Sequence, residues 1–234
     1  MEKLITILFI MIFGFSSHAQ LPLSSVDFKR IAQKKVRQLV KQQHKKGAVY
    51  FSDLKSACYS EQDSSSYSFQ ETNHPIKEKI QSVWNKLKYL KPRDEFSGKM
   101  VSFGFLYSSK LNRVFYSDDD YQGFKEGEIV YLNLKLLGGI KNIGVALEVT
   151  KVDEDNKTIQ FCYLENGMSM GTQEIKLTET KDGETLISQA TRYRNHSRFR
   201  EKRLYPIFHQ KAVRELHKNI RNLIETFPSS SNNL

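Results

Sequence analysis

At 234 residues the chain has room for one large domain, or one domain with an accessory segment. Its formal net charge of +10 favours acidic partners, whether anionic lipid headgroups, acidic glycans or nucleic acid. Its two cysteines, Cys58 and Cys162, are too few for a disulfide-framework scaffold.

The chain opens with MEKLITILFIMIFGFSSHAQ: a short charged stretch, an apolar run from Leu4 to Phe15, and the small-residue pattern Ser17-His18-Ala19. This reads as a signal peptide over residues 1–19, cut after Ala19, because the apolar run is short for a membrane span. No cysteine follows that would accept a lipid. The expectation is an exported protein, periplasmic or secreted, which argues against nucleic acid as a partner.

Phe28, Ile31, Ala32, Val36, Leu39 and Val40 recur at helical spacing within residues 24–46, with Ser24 or Ser25 as cap and Gly47 as stop. The other face carries Lys29, Arg30, Lys34, Lys35, Arg37, Lys41, Lys45 and Lys46. A basic amphipathic helix can lie on an anionic membrane. This stripe lacks the bulky aromatics of a strong interfacial helix, so docking on the domain behind it is preferred. SEQDSSS at 60–66 is a polar linker, which divides the exported chain into an accessory segment at 20–65, a globular domain at 66–227 and a frayed tail at 228–234.

The domain begins with a short strand, SYSFQETNHP, followed by PIKEKIQSVWNKLKYL with Ile76, Ile80, Val83, Trp84, Leu87 and Leu90 at helical spacing. Pro75 falls where a first helical turn tolerates it. The period then changes to two. KMVSFGFLY, RVFYS, EIVYLNLKLL, VALEVTKV, KTIQFCYLE, QEIKLTET and TLISQATRY alternate or run apolar, without helical crossovers, and so predict an antiparallel sheet. Tyr205 to Glu225 is a long amphipathic helix with Pro206 in its first turn and Pro228 beyond its end. The fold class is α+β: a curved antiparallel sheet of six to seven strands on a long C-terminal helix, with an extra N-terminal helix. Such a sheet has one face to bury, the two domain helices are its cover, and a concave apolar space is expected between them.

This layout resembles the helix-grip fold of the START, polyketide-cyclase and pollen-allergen superfamily. The resemblance covers roughly residues 66 to 226 and rests on YSFQETNHPIKEKIQSVWNKL and on the stretch from Gly139 to Arg194. The latter is similar to a bacterial branch of unknown function that reads aromatic-x-Tyr and then Gly-Thr-x-Glu. The matching residues are Phe161, Tyr163, Gly171, Thr172 and Glu174, with Gln173 where the branch has a second acidic residue. The resemblance implies a hydrophobic ligand cavity.

Trp84, Phe103, Phe105, Tyr131, Phe161, Tyr163, Glu165 and Phe208 are the candidate cavity residues, with Glu165 at the rim or facing outward. TRYRNHSRFREKR interleaves arginine with aromatics as a nucleic-acid arm does, but its first part continues a strand whose arginines form one solvated face. Arg198, Arg200 and Arg203, where the last strand hands over to the helix, are the candidates for an anionic headgroup. LLGGIKNIG reads as a bulge or gating loop at the cavity mouth, and the SDDDYQG turn as solvated. His209 and His217 read as exposed helix-surface residues and His74 as a cap or loop residue. Cys58 and Cys162 are free to pair, yet Cys162 reads as a buried strand residue, a common place for a free thiol.

The preferred function is non-enzymatic binding of a lipid-like or other hydrophobic small molecule, with peripheral contact to an anionic membrane surface, no cofactor and no metal, as a monomer. The alternatives are a cyclase or hydratase using Glu165, Glu174, Tyr163 and His196, and a basic adaptor for an acidic glycan or protein partner whose aromatics fill its own cavity.

Overall fold

Several of the middle strands run continuously apolar instead of alternating, because the protein buries both faces of its sheet. The computed structural model of the protein describes residues 20–195, 197 and 200–226, so the predicted signal peptide, His196, Arg198 and the tail fall outside the described residues. Eight strands form one antiparallel sheet: β1 (Ser68–Ile76), β2 (Val101–Ser108), β3 (Arg113–Tyr116), β4 (Glu128–Leu136), β5 (Lys141–Asp153), β6 (Thr158–Tyr163), β7 (Ser169–Glu179) and β8 (Thr185–Asn195). Their order is β1-β8-β7-β6-β5-β4-β2-β3. The count exceeds the expected six to seven because both the opening strand and the short RVFY segment pair into the same sheet, one at each edge.

The helices are α1 (Lys34–Lys45), α2 (Ile80–Leu87), α3 (Pro92–Glu95) and α4 (Tyr205–Thr226). Pro75 belongs to β1, opposite Leu186, rather than to a helical turn. An edge strand tolerates a residue without an N–H. The inner face of the sheet packs on α2 and α4 through Trp84, Leu106, Val130, Val149, Ile187 and Ile220.

The outer face is also covered, against the expectation of a single buried face. Leu23, Ile31, Val36, Val40 and Phe51 of the N-terminal segment pack on Phe105, Tyr107, Tyr131 and Ala146. Phe51 stacks on Tyr107 with centroids 4.0 Å apart, and Tyr131 donates a buried hydrogen bond to Gln43 at 2.9 Å. Two strand glycines let α1 approach the sheet: a Cβ on Gly104 would lie 2.9 Å from the Val36 side chain, and one on Gly144 2.5 Å from the Lys35 carbonyl oxygen. The basic face of α1 is left to solvent, as a docked helix requires.

This helix is shorter than the predicted 24–46. Residues before Lys34 form two 3₁₀ turns, Leu23–Ser25 and Phe28–Arg30, with bonds that a continuous helix could not make. Leu23 N–H donates to the Val49 carbonyl at 2.8 Å and Asp27 N–H to the Tyr116 hydroxyl at 2.7 Å, while Arg30 pairs with Asp118 at 2.6 Å. The SDDD turn thus holds the segment down.

Beyond α1 the chain is wedged into the sheet. β6 and β7 splay after Cys162 and Thr172, and residues 55–59 enter the gap. Ala57 N–H donates to Tyr163 O, Glu165 N–H to Lys55 O and Gly171 N–H to Ala57 O, each at 2.7 Å. Tyr59 N–H donates to the Thr172 hydroxyl at 2.9 Å. The Gly171-Thr172 pair of the sequence motif therefore receives this segment, and Gly171 sits at φ +126°, which favours glycine. Cys58 and Cys162 form a disulfide there. That corrects the reading of Cys162 as a free thiol: the wedge brings together two residues that sequence separation kept apart. Arg192 and Arg194 leave β8 on the outer face over Tyr59 and Tyr67, at 5.2 and 5.0 Å, so aromatics of the segment cover part of the arginine ladder.

Candidate ligand cavity

A cavity of about 300 Å³ lies between the inner face of the sheet and α4. It exists because the sheet is incomplete there. β6 ends at Tyr163, opposite Leu147, and Leu164 N–H still donates to the Ala146 carbonyl, so residues 141–145 of β5 pair with β4 but have no strand beyond them. The walls are aliphatic and aromatic, with Leu132, Val145, Leu147, Phe161, Ile175 and Leu216 among them. α1 adds Leu39, Gln42 and Gln43, with Lys46 just past its end, so the N-terminal segment contributes to the lining.

Of the eight predicted cavity residues, Phe161, Tyr163, Glu165 and Phe208 line this space. Trp84, Phe103, Phe105 and Tyr131 do not. Trp84 is fully buried behind it and donates its indole N–H to Glu154 at 2.7 Å. Phe103 belongs to the inner core without reaching the cavity. Phe105 and Tyr131 sit on the outer face, stacked at 4.1 Å beneath the N-terminal segment. The cause is a bulge between Phe103 and Phe105, which breaks the parity that would have put them on one face. Glu165 is exposed at the rim, and Glu174 lies on the partly exposed register of β7. Arg203 is exposed in the π-helical turn Arg200–Leu204 that leads into α4, and it is not part of the lining.

The opening is marked by the exposed members of the lining. Leu137, Lys141, Glu165, Met168 and Leu204 gather where the β4–β5 turn, the β6–β7 turn and the start of α4 meet. The β4–β5 turn is the predicted glycine-rich loop. Leu137, Gly138 and Gly139 all have positive φ, at 51°, 67° and 95°, and Ile140 beside them is 89% exposed.

Among these apolar walls the cavity has a polar floor that the sequence reading missed. Gln189 on β8 donates to Gln173 on β7 at 2.7 Å, and Gln173 donates to the Tyr163 hydroxyl at 2.7 Å. That hydroxyl meets Tyr205 OH of α4 at 2.6 Å. Tyr205 stacks on Tyr193 at 3.7 Å and on His209 at 4.9 Å, and His209 Nε2 lies 3.3 Å from the Thr191 hydroxyl. The signal that could have found it is parity: Gln173 and Gln189 occupy inward positions of β7 and β8 among Ile175, Leu177 and Ile187.

Burial pushes the Tyr163 phenol up to about 12 and the His209 imidazole down to about 4, so both stay neutral near pH 7. His217 is also buried on α4, against the reading of an exposed residue, with Nδ1 2.9 Å from Nδ1 of His74 in β1. Among the described residues no cluster of His, Cys, Asp and Glu could hold a metal ion, and no helix is long and apolar enough to cross a membrane.

No family model matches the chain, and no curated protein matches it. Solved structures do match. The KanY protein is 13% identical, covering 68% of this chain and 98% of its own, with a TM-score of 0.50. A protein of Thermus thermophilus is 12% identical, covering 69% of this chain and 100% of its own, also at 0.50. Norcoclaurine synthase from Thalictrum flavum, solved with dopamine and hydroxybenzaldehyde, is 14% identical over 74% of this chain and 95% of its own, at 0.49. With the element order described above, the chain has the helix-grip fold: a long antiparallel sheet with a long C-terminal helix packed on it.

Proposed function

We propose that this chain is an exported binding protein that carries a hydrophobic small molecule in the cavity between sheet and α4. The observation that carries the reading is the aliphatic space of about 300 Å³ left open by the missing sheet partner of residues 141–145. That is the lower end of the usual size for small-molecule sites. The Cys58–Cys162 disulfide supports an oxidising compartment, in keeping with the signal-like residues 1–19.

Exposed Leu137, Ile140, Met168 and Leu204 at or beside the opening, with Lys46, Lys141 and Arg203 near them, support loading from an anionic lipid surface. Native mass spectrometry of the exported protein, before and after organic-solvent extraction, tests the reading. A discrete adduct mass removed by extraction is expected. A protein that carries no adduct and takes up no neutral apolar probe contradicts it.

A further inference from the structure

The cavity wall is mostly apolar, and the polar groups of its floor are not all satisfied. Gln189 is only 3% exposed and spends its amide N–H on Gln173, leaving its Oε1 buried with no partner among the described residues. His209 spends Nε2 on Thr191 and leaves Nδ1 buried in the same condition. Gln189 and Thr191 are two apart on one strand, so they share the inward face about 7 Å apart, and His209 reaches that face from α4. Gln189, His209, Gln173, Tyr163 and Tyr205 all line the cavity. A buried polar atom without a partner is costly, and a ligand group that bonds to these atoms would recover that cost.

The chemistry of the completing group follows from the donors and acceptors. Turning both glutamine amides over would leave Gln189 with a spare N–H in place of a spare oxygen, and a neutral imidazole nitrogen is donor or acceptor by tautomer. Only a group that both donates and accepts fits every arrangement, and a hydroxyl does so. A charged group does not fit: the cations of the lining are Lys46 and Lys141, both exposed at the rim, and the floor residues are uncharged near pH 7.

We infer that Gln189 and His209, braced by Gln173, Tyr163 and Tyr205, form a subsite for the uncharged hydroxyl of an apolar alcohol or phenol that enters with that group foremost. This rests on the cavity reading and specifies it further.

Equilibrium dialysis of the exported protein at pH 7 with naphthalene, naphthol and the naphthoate anion tests it. An unassisted apolar pocket binds naphthol more weakly than naphthalene, since the hydroxyl loses its water. The subsite reverses that order, and naphthol is expected to bind about tenfold tighter than either analogue. In Gln189→Leu the preference falls to naphthalene, and in His209→Phe it shrinks. The comparison in the unmodified protein stands alone should either variant fold poorly. Naphthalene binding as tightly as naphthol overturns the subsite and leaves the cavity reading intact. Naphthoate binding tightest overturns the inference of an uncharged ligand. Failure of all three to bind overturns the cavity reading and the subsite with it.

Discussion

Removing the Cys58–Cys162 bridge, by the double substitution Cys58→Ala and Cys162→Ala, is expected to lower the unfolding free energy by roughly 3 to 5 kcal/mol, in line with a chain-entropy estimate of about 4.7 kcal/mol for a loop of about 100 residues. The bridged residues are 104 apart, so the bridge restricts nearly half of the unfolded chain. The native state should change little. Residues 55–59 keep their three backbone hydrogen bonds and the Tyr59–Thr172 bond, and α1 keeps Val36 and Val40 on the outer face. Urea unfolding followed through Trp84, the single tryptophan and fully buried, gives the measurement. The midpoint should fall while the denaturant slope rises, because the unfolded chain expands without the cross-link. A loss below about 1 kcal/mol would refute the entropic reasoning, and two titratable thiols in the unreduced native protein would refute the bridge itself.

Stability should peak near pH 6.5. Burial pushes the Glu95 carboxyl up to about 8 and holds His209 and His217 down at about 4 and about 3. Counted over these three groups, between about pH 4.5 and 6.5 the unfolded chain binds two more protons on the histidines and the folded chain one more on Glu95, which raises stability by about 1.4 kcal/mol per pH unit. Above about 6.5 Glu95 alone of the three counts, and its contribution falls at a similar slope until about pH 8. Melting curves at fixed ionic strength should show this dome, and Glu95→Gln should flatten its alkaline side; a stability that climbs steadily to pH 8 contradicts the assignment. Glu215 accepts from the N–H groups of Lys99, Met100 and Val101 at 2.8, 2.8 and 3.0 Å, fastening α4 to the start of β2. Glu215→Ala should cost about 2 kcal/mol and Glu215→Gln about half of that in denaturant titrations. Gly144→Val should drive α1 off β5 at a cost of about 1 to 3 kcal/mol, with faster hydrogen exchange over residues 34–45; unchanged exchange there would mean that α1 is not seated on Gly144.

The helix-grip architecture was legible because its signals are local. The stripe from Leu204 to Ile224 and the strand runs from Val101 onward repeat at the period of the element they form. What escaped depended on partners distant in sequence. Phe105 leaves the face that alternation assigns it because a single bulge at Gly104 inverts parity, and a glycine between two aromatics does not announce it. The outer face went unassigned although EIVYLN is buried at every position, a pattern that alternation cannot produce with one face wet. The predicted helix begins at residue 24, yet hydrogen bonds from Leu23 to Val49 and from Asp27 to Tyr116 hold its first part in short turns. His209 and His217 read as surface residues because histidine suits either environment, and only the rotation of α4 on the sheet turns them inward. The polar floor was legible in principle, since Gln173 and Gln189 face inward by parity among apolar neighbours.

The central claim is that this cavity takes up an apolar molecule. Ala212 lines it from α4, and Ala212→Trp would place an indole in the open space. Titration with the neutral dye Nile red should show one site per chain in the unmodified protein. Ala212→Trp should weaken binding about tenfold or more, with the far-ultraviolet circular dichroism and melting temperature retained. Equal dye affinity in the two folded proteins would contradict the claim that this cavity is the binding site.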